Sequence, residues 1–180
     1  MANHNFTPFP ILTTERLVLR RLSIDDQEPI FALRSDPKIN QYLGRKPSQT
    51  IEDALHFINQ VNDNLQKNNS VYWAIALREN KTFVGTLCLF DFSDETNSCE
   101  IGYELLTTFQ GQGIMKEATE LVIDFAFRTL LFQKIIAFTH NSNQSSISLL
   151  TKFNFLPSLE TDPENPDFTV FTLTTEKQLT

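Results

Sequence analysis

Two glycines, Gly111 and Gly113, stand one residue apart in "TTFQGQGIMKEATELVIDFAF", within a chain of 180 residues that holds only five. They directly precede a run in which Ala118, Leu121, Val122, Phe125 and Ala126 form one apolar stripe at helical spacing. Glycines at the start of a helix let the backbone take positive φ and approach a ligand with no Cβ in the way. The N–H groups of that first turn have no partner within the helix and lie at the positive end of its dipole. Such a junction suits an anion, above all a phosphate. The stretch matches neither G-x-G-x-x-G nor G-x-x-x-x-G-K-[ST], and an isolated G-x-G is also an ordinary tight strand-to-helix connection.

The preceding segment, "SCEIGYELL" (Ser98 to Leu106), alternates like a strand, which puts Glu100, Gly102 and Glu104 on one face. Two carboxylates there could raise one another's pKa towards the range of a general base. Equally they could be solvated charges or partners for Arg20 or Arg21. Downstream, Asn143 follows a strand as a turn residue would, and Ser145 and Ser146 are equal candidates to cap a short helix. His140 follows that strand and reads as a satisfied loop histidine; His4 and His56 have no partners at suggestive spacing. Cys99 adjoins Glu100, so an acyl-cysteine is conceivable, though a half-buried thiol is the simpler reading. No spacing of His, Cys and Asp indicates a metal site, and no G-x-S-x-G elbow indicates a hydrolase.

These residues need elements to position them. "RLVLRRL" (Arg16 to Leu22) reads as a first strand after a loose tail over residues 1–10. Ser23 and Asp26 form a capping box, but Pro29 requires the helix behind it to kink or start late. Thr50 and Asp53 cap a clearer helix carrying Ile51, Leu55, Ile58, Val61 and Leu65 on one face. From Val71 the period becomes two: "VYWAIALR" and "TFVGTLCLFD" flank a turn at Glu79, Asn80 and Lys81 as an antiparallel hairpin. After the glycine-led helix, Lys134 to His140 is apolar on both faces and suggests a central strand. A short helix from Ser145 to Phe153 and a last strand from Phe168 to Leu173 follow, joined by the surface loop "PSLETDPENPD". The order β-α-α-β-β-β-α-β-α-β implies one domain over residues 11–177, an α/β fold with a mixed sheet and helices on both faces.

Composition narrows the partners. At 41% hydrophobic and 21% charged, the chain has a globular composition, and sixteen phenylalanines promise a ring-rich core. A formal net charge of -7 argues against nucleic acid, which needs a basic face, and suits a cationic partner. No apolar run approaches the roughly 20 residues of a membrane span, and no signal peptide is visible. With two cysteines and no disulfide framework, a reducing cytoplasm is the expected setting.

"IGYELLTTFQGQGIMKEA" (Ile101 to Ala118) resembles motif A of the GCN5-related N-acetyltransferases (GNAT), and most closely the ribosomal-protein alanine acetyltransferase (RimJ/RimL-like) branch. Gln110 stands where that branch usually has tryptophan, and Glu117-Ala118 match its E-A. "NQSSISLLTKFNF" (Asn143 to Phe155) resembles the family's N-x-x-S-x-x-[VL]-x-x-K-x-G-F, with Asn154 in place of the glycine; Asn also tolerates the left-handed conformation. "TTERLVLRRLSIDD" (Thr13 to Asp26) resembles its opening motif. Thr108 departs from the Gln or Arg usual three residues before the first glycine.

The resemblance implies acetyl-CoA as co-substrate and no metal. Its pyrophosphate would rest on the amides of Gln110, Gly111, Gln112, Gly113, Ile114 and Met115. Its pantetheine arm would pair with a strand edge at Glu104, Leu105 and Leu106, exposed where neighbouring strands splay at a bulge, and would meet Asn143. The N–H near Glu104 would stabilise the oxyanion. Glu100, or less readily Glu104, would be the base; Ser146 would lie near the sulfur, since Leu150 stands where many relatives carry an acidic tyrosine. Tyr42, Arg45 and Lys46, in the loop from Pro37 to Gln49, could contact acceptor or CoA.

The expectation is an N-acetyltransferase, monomer or homodimer, acting by direct transfer on a primary amine, with the α-amino group of a ribosomal or other protein foremost. A small amine (polyamine, amino acid or antibiotic) and a non-catalytic acyl-CoA-binding module are the alternatives. A nucleotide enzyme lacks its phosphate lysine and acidic metal pair.

Overall fold

The structure is a computed structural model and describes residues 5–158 and 165–175. Eight strands form one sheet in the order β1-β2-β3-β4-β5-β6-β8-β7. β1 (Leu12–Thr13), β2 (Leu17–Arg21), β3 (Val71–Leu77) and β4 (Phe83–Ser93) pair antiparallel in succession, and β5 (Ser98–Leu105) continues the meander. β6 (Lys134–His140) lies parallel to β5; β8 (Phe168–Thr174) and β7 (Leu156–Pro157) close the far edge.

The helices take their places from local chemistry. The Ser23–Asp26 capping box forms, but on a 3-10 turn over Ile24–Asp26, and α1 (Gln27–Ser35) starts after it, with Pro29 inside its first turn. A short α2 (Pro37–Asn40), which the sequence pattern did not announce, is capped by Asp36. α3 (Ile51–Gln66) starts at the Thr50–Asp53 box and buries Ala54, Ile58, Val61 and Leu65, leaving Ile51 and Leu55 at the margin. With α1, it forms a core on one face of the sheet. α4 (Ile114–Asp124), running on into a wide turn over Phe125–Thr129, and α5 (Gln144–Lys152) pack on the larger core of the other face.

Three expectations change. The segment before residue 11 is not loose throughout: Phe6 is buried, Phe9 packs edge-on against Trp73, and Pro10 O accepts from Trp73 Nε1 at 2.7 Å. β6 is central, yet it alternates, with Phe138 exposed on one side. The middle of the proline-rich loop, and residues 1–4, lie outside the described residues.

What positions the site is an interrupted pairing. β5 and β6 pair only over Ser98–Lys134, Cys99–Ile135 and Glu100–Ile136. β5 then runs on to Leu105, still paired with β4 through Gly85–Leu105, so its other edge is open from Ile101 onward. The register irregularities lie in β3–β4 and β4–β5. The bulge expected at the splay is thus displaced onto β4.

Candidate active site

The opened strands leave a cleft of about 460 Å³. Glu104, Leu105, Gln110, Gly111, Gly113, Ile114, Met115, Asn143 and Ser146 all line it, together with Tyr42 and Tyr103. Leu106, Gln112 and Glu100 are not part of this lining.

The glycine loop has the anion-receptive form. Gly111 and Gly113 take φ of +74° and +76°, and a Cβ at Gly111 would meet nothing within 4 Å, so that side of the loop is open. Gly113 is the N-cap of α4 with no side-chain cap, which leaves the first-turn amides to face the cleft rather than a capping oxygen. Gln110 Nε2 donates to Leu105 O at 3.1 Å and Gln112 Nε2 to Thr108 O at 2.9 Å, fixing the loop against the end of β5. Arg16 Nη1 donates to Gln112 O at 3.3 Å. Lys38, Lys116 and Lys152 also line the cleft, against one acid, Glu104, so the basic side chains of an acidic chain collect here.

The opening motif and the E-A pair turn out to be one clasp. Thr14 Oγ1 donates to Glu117 Oε1, and Arg16 Nε to Glu117 Oε2 at 2.7 Å. Burial pushes the Glu117 carboxyl up, but the hydrogen bonds from Thr14 and Arg16 outweigh it and hold it below its ordinary value. Residues about a hundred positions apart thereby anchor the start of α4 to the β1–β2 hairpin.

Glu104 is committed to a different partner from those expected. Arg45 Nη1 donates to Glu104 Oε1 and Arg45 Nη2 to Oε2 at 2.6 Å, while Arg45 Nε donates to Asn40 Oδ1 at 2.8 Å. Arg20 pairs instead with Asp26, and Arg21 with Asn62. Both Glu104 oxygens are thus engaged by the Arg45 fork. The backbone at this point also differs from the expectation. Leu106 N donates to Val84 O at 2.9 Å, whereas Leu105 O faces Gln110. By strand alternation the Glu104 amide turns towards β4 with that of Leu106, and Leu105 presents its N–H to the cleft. Glu104 O lies 2.3 Å from where a Gly85 Cβ would stand, so Gly85 is what lets β4 approach the site.

Glu100 lies elsewhere. It lines a depression of about 1290 Å³ under α3, with Phe57, Tyr72, Cys88, Phe90, Asp91 and Asp94 among its walls. Burial, then the charge and hydrogen bond of Asp91, push Glu100 up to about 7. The second carboxylate is therefore Asp91 rather than Glu104, which sits about 13 Å further along the strand at ~3.3 Å per residue. Asp91 escaped the sequence reading because the β4–β5 register shifts between Phe90 and Ser93.

Across the cleft, Asn143, not Ser145 or Ser146, caps α5: its Oδ1 accepts from Ser146 N at 3.1 Å. Ser146 Oγ and Tyr103 Oη are 2.8 Å apart. His140 Nδ1 accepts from Ser142 N, and its ring packs tilted against Tyr42 and edge-on against Phe168. Cys99 is fully buried, and burial pushes its thiol far up; Cys88 is pushed up to about 12 for the same reason. Neither forms the thiolate an acyl-cysteine would need. Among the described residues, no group of three His, Cys, Asp or Glu could hold a metal ion, and no helix is long and apolar enough to cross a membrane.

A model of the acetyltransferase (GNAT) domain matches residues 16–156. The chain is 31% identical over 147 residues to the uncharacterized N-acetyltransferase YoaA of Bacillus subtilis, covering 82% of this chain and 83% of that one. Among solved structures, one described as a candidate ribosomal-protein-serine acetyltransferase from Vibrio cholerae is similar with a TM-score of 0.76 at 23% identity, over 93% of this chain and 98% of that one. The microcin C7 self-immunity acetyltransferase MccE, in complex with acetyl-CoA and AMP, gives 0.77 at 18% identity, over 89% and 93%. At these identities both structures attest the fold alone.

Proposed function

The chain belongs to the GNAT acetyltransferases, and on that premise we propose that a single domain over residues 11–177 moves the acetyl group of acetyl-CoA directly to a primary amine in a ternary complex. The observation that carries the reading is the parting of β5 from β6 after Glu100–Ile136, which opens a strand edge beside a left-handed glycine loop. The fit is chemical. Backbone amides of Gly111 to Met115, with Lys116 nearby, take the pyrophosphate. The open edge at Leu105 takes the pantetheine amide, and the Leu105 N–H meets the thioester oxygen as charge develops there. Asn143 and Ser146 border the arm from α5. Leu106 and Gln112 support the site through their neighbours.

A neutral amine is the nucleophile, and Glu100 is the base in this reading. With a carboxyl near 7 it accepts a proton at ordinary pH, and its distance along the strand means that it acts through water. Glu104, bound through both oxygens to Arg45, orders the acceptor loop in this reading. The three motifs favour the RimJ/RimL-like branch and hence a protein α-amine in the cytoplasm, and the Vibrio cholerae neighbour carries a name of that kind. A small cationic amine is the second reading, favoured by Asp91, Asp94 and Glu100 in one depression. Mass spectrometry of products from acetyl-CoA with alanine- and serine-initiated peptides, polyamines and amino acids separates them. Acetylation of peptide α-amines alone supports the first reading; acetylation of polyamines alone replaces it. CoA binding with no product would leave a non-catalytic binder.

A further inference from the structure

We propose that Tyr103 is a positioning residue for the departing thiolate: its hydroxyl donates to Ser146 Oγ and so turns the Ser146 O–H towards the thioester sulfur. This rests on the reading of the cleft as the acetyl-CoA site. Tyr103 lies on β5 beyond the last residue paired with β6, and its hydroxyl reaches Ser146 in the first turn of α5. Oη and Oγ are 2.8 Å apart, and both residues line the cleft. A serine hydroxyl has one proton and two acceptor lone pairs. Once it accepts from Tyr103, its own proton is free to point at the ligand. Burial pushes the Tyr103 hydroxyl up to about 12, so it stays neutral and remains a donor across the working range. Leu150, at the position of the tyrosine that many relatives use, is fully buried and carries no proton to give. The site therefore draws its phenol from a strand instead of a helix.

The step balances without an added reagent. The amine nitrogen bonds to the acetyl carbon, the C–S bond breaks, and its electron pair leaves on sulfur. The nitrogen's proton passes through water to Glu100. Sulfur leaves as a thiolate that accepts from Ser146 O–H, while Tyr103 keeps its own proton.

The test needs no acceptor. Ultraviolet difference titration of the CoA thiol bound to the full chain reports the thiolate directly, in the wild type, Tyr103→Phe, Ser146→Ala and the double variant. A hydrogen bond to an anion lowers its pKa, so each single variant should raise the bound thiol by about one unit. The double variant should go no further, because the two hydroxyls act as one. Tyr103→Phe should still bind CoA at a pH where the thiol is protonated, since it keeps the ring. An unmoved thiol pKa in Tyr103→Phe, with CoA still bound, overturns the proposal. A shift in Tyr103→Phe but none in Ser146→Ala overturns the arrangement, since Tyr103 would then meet sulfur itself. Failure of the wild type to bind CoA would sink the cleft reading first, and this inference with it.

Discussion

The cleft between β5 and β6 and the depression under α3 are built from opposite chemistry. The cleft gathers Lys38, Lys116 and Lys152, a left-handed glycine loop and the hydroxyls of Tyr103 and Ser146; its one acid is neutralised by Arg45. The depression gathers Asp91, Asp94 and Glu100 among Phe57, Tyr72 and Phe90, with Lys67 the one basic side chain in its walls. Basic side chains predominate in one region and acidic ones in the other. β5 borders both, with Glu100 at one end of the shared strand and Glu104–Leu105 at the other. Under the proposed function the contrast would be a division of labour, with the cofactor's phosphates held beside the basic groups and the amine's proton taken up beside the acidic ones.

The comparison can be broken at either end. The largest effect should come from Glu100→Gln, which removes the base and should lower kcat/KM by about a hundredfold or more without changing CoA affinity. The same variant carries a sign test in stability. The folded protein holds Glu100 protonated up to about 7, against an ordinary carboxyl value of 4.5. That contribution is present at low pH and is lost as pH rises between those values. Thermal melts should therefore show Glu100→Gln gaining on the wild type as pH rises from about 5 to about 8. An equal offset at both pH values would deny the shift.

Gly113→Ala should act only on the other region. Forcing a side chain into φ of +76° costs about 1–2 kcal/mol, so calorimetry should show CoA binding weakened by roughly tenfold or the helix start rearranged. A smaller effect sharpens the first. Asp91→Asn removes the charge of Asp91, the smaller cause of the Glu100 shift, and leaves burial, the larger one. The ascending limb of the pH–rate profile should move to lower pH without disappearing. Smallest is Lys116→Gln, which should weaken CoA by about two- to threefold at low salt and by less as salt screens the exposed charge.

Much of this was legible in the residues, and the misses share a cause. Spacing placed Gly111 and Gly113 before a helix, and Asn154 does take the left-handed conformation, at φ 61°, that its replacement of glycine requires. Both are local backbone facts, and local chemistry specifies them. The capping boxes at Ser23 and Thr50 are local in the same way. What stayed hidden depends on register and on contacts between distant segments. Arg45 meets Glu104 across 59 positions, and Tyr103 meets Ser146 across 43. Period-two alternation put Tyr103 on the face opposite Glu100 but had no means of saying that α5 would bring Ser146 to its hydroxyl. Nor could it show that Leu106 bonds back to Val84, which moves the free amide to Leu105.

The most direct test of the account is thiol release from acetyl-CoA with an amine acceptor, followed from about pH 5 to about pH 9 in the wild type and in Glu100→Gln. Release should depend on the amine and rise through about pH 7 in the wild type, with that limb absent from the variant. Amine-dependent release with the same limb in both proteins would contradict it, because the depression under α3 would then take no part in the chemistry of the cleft.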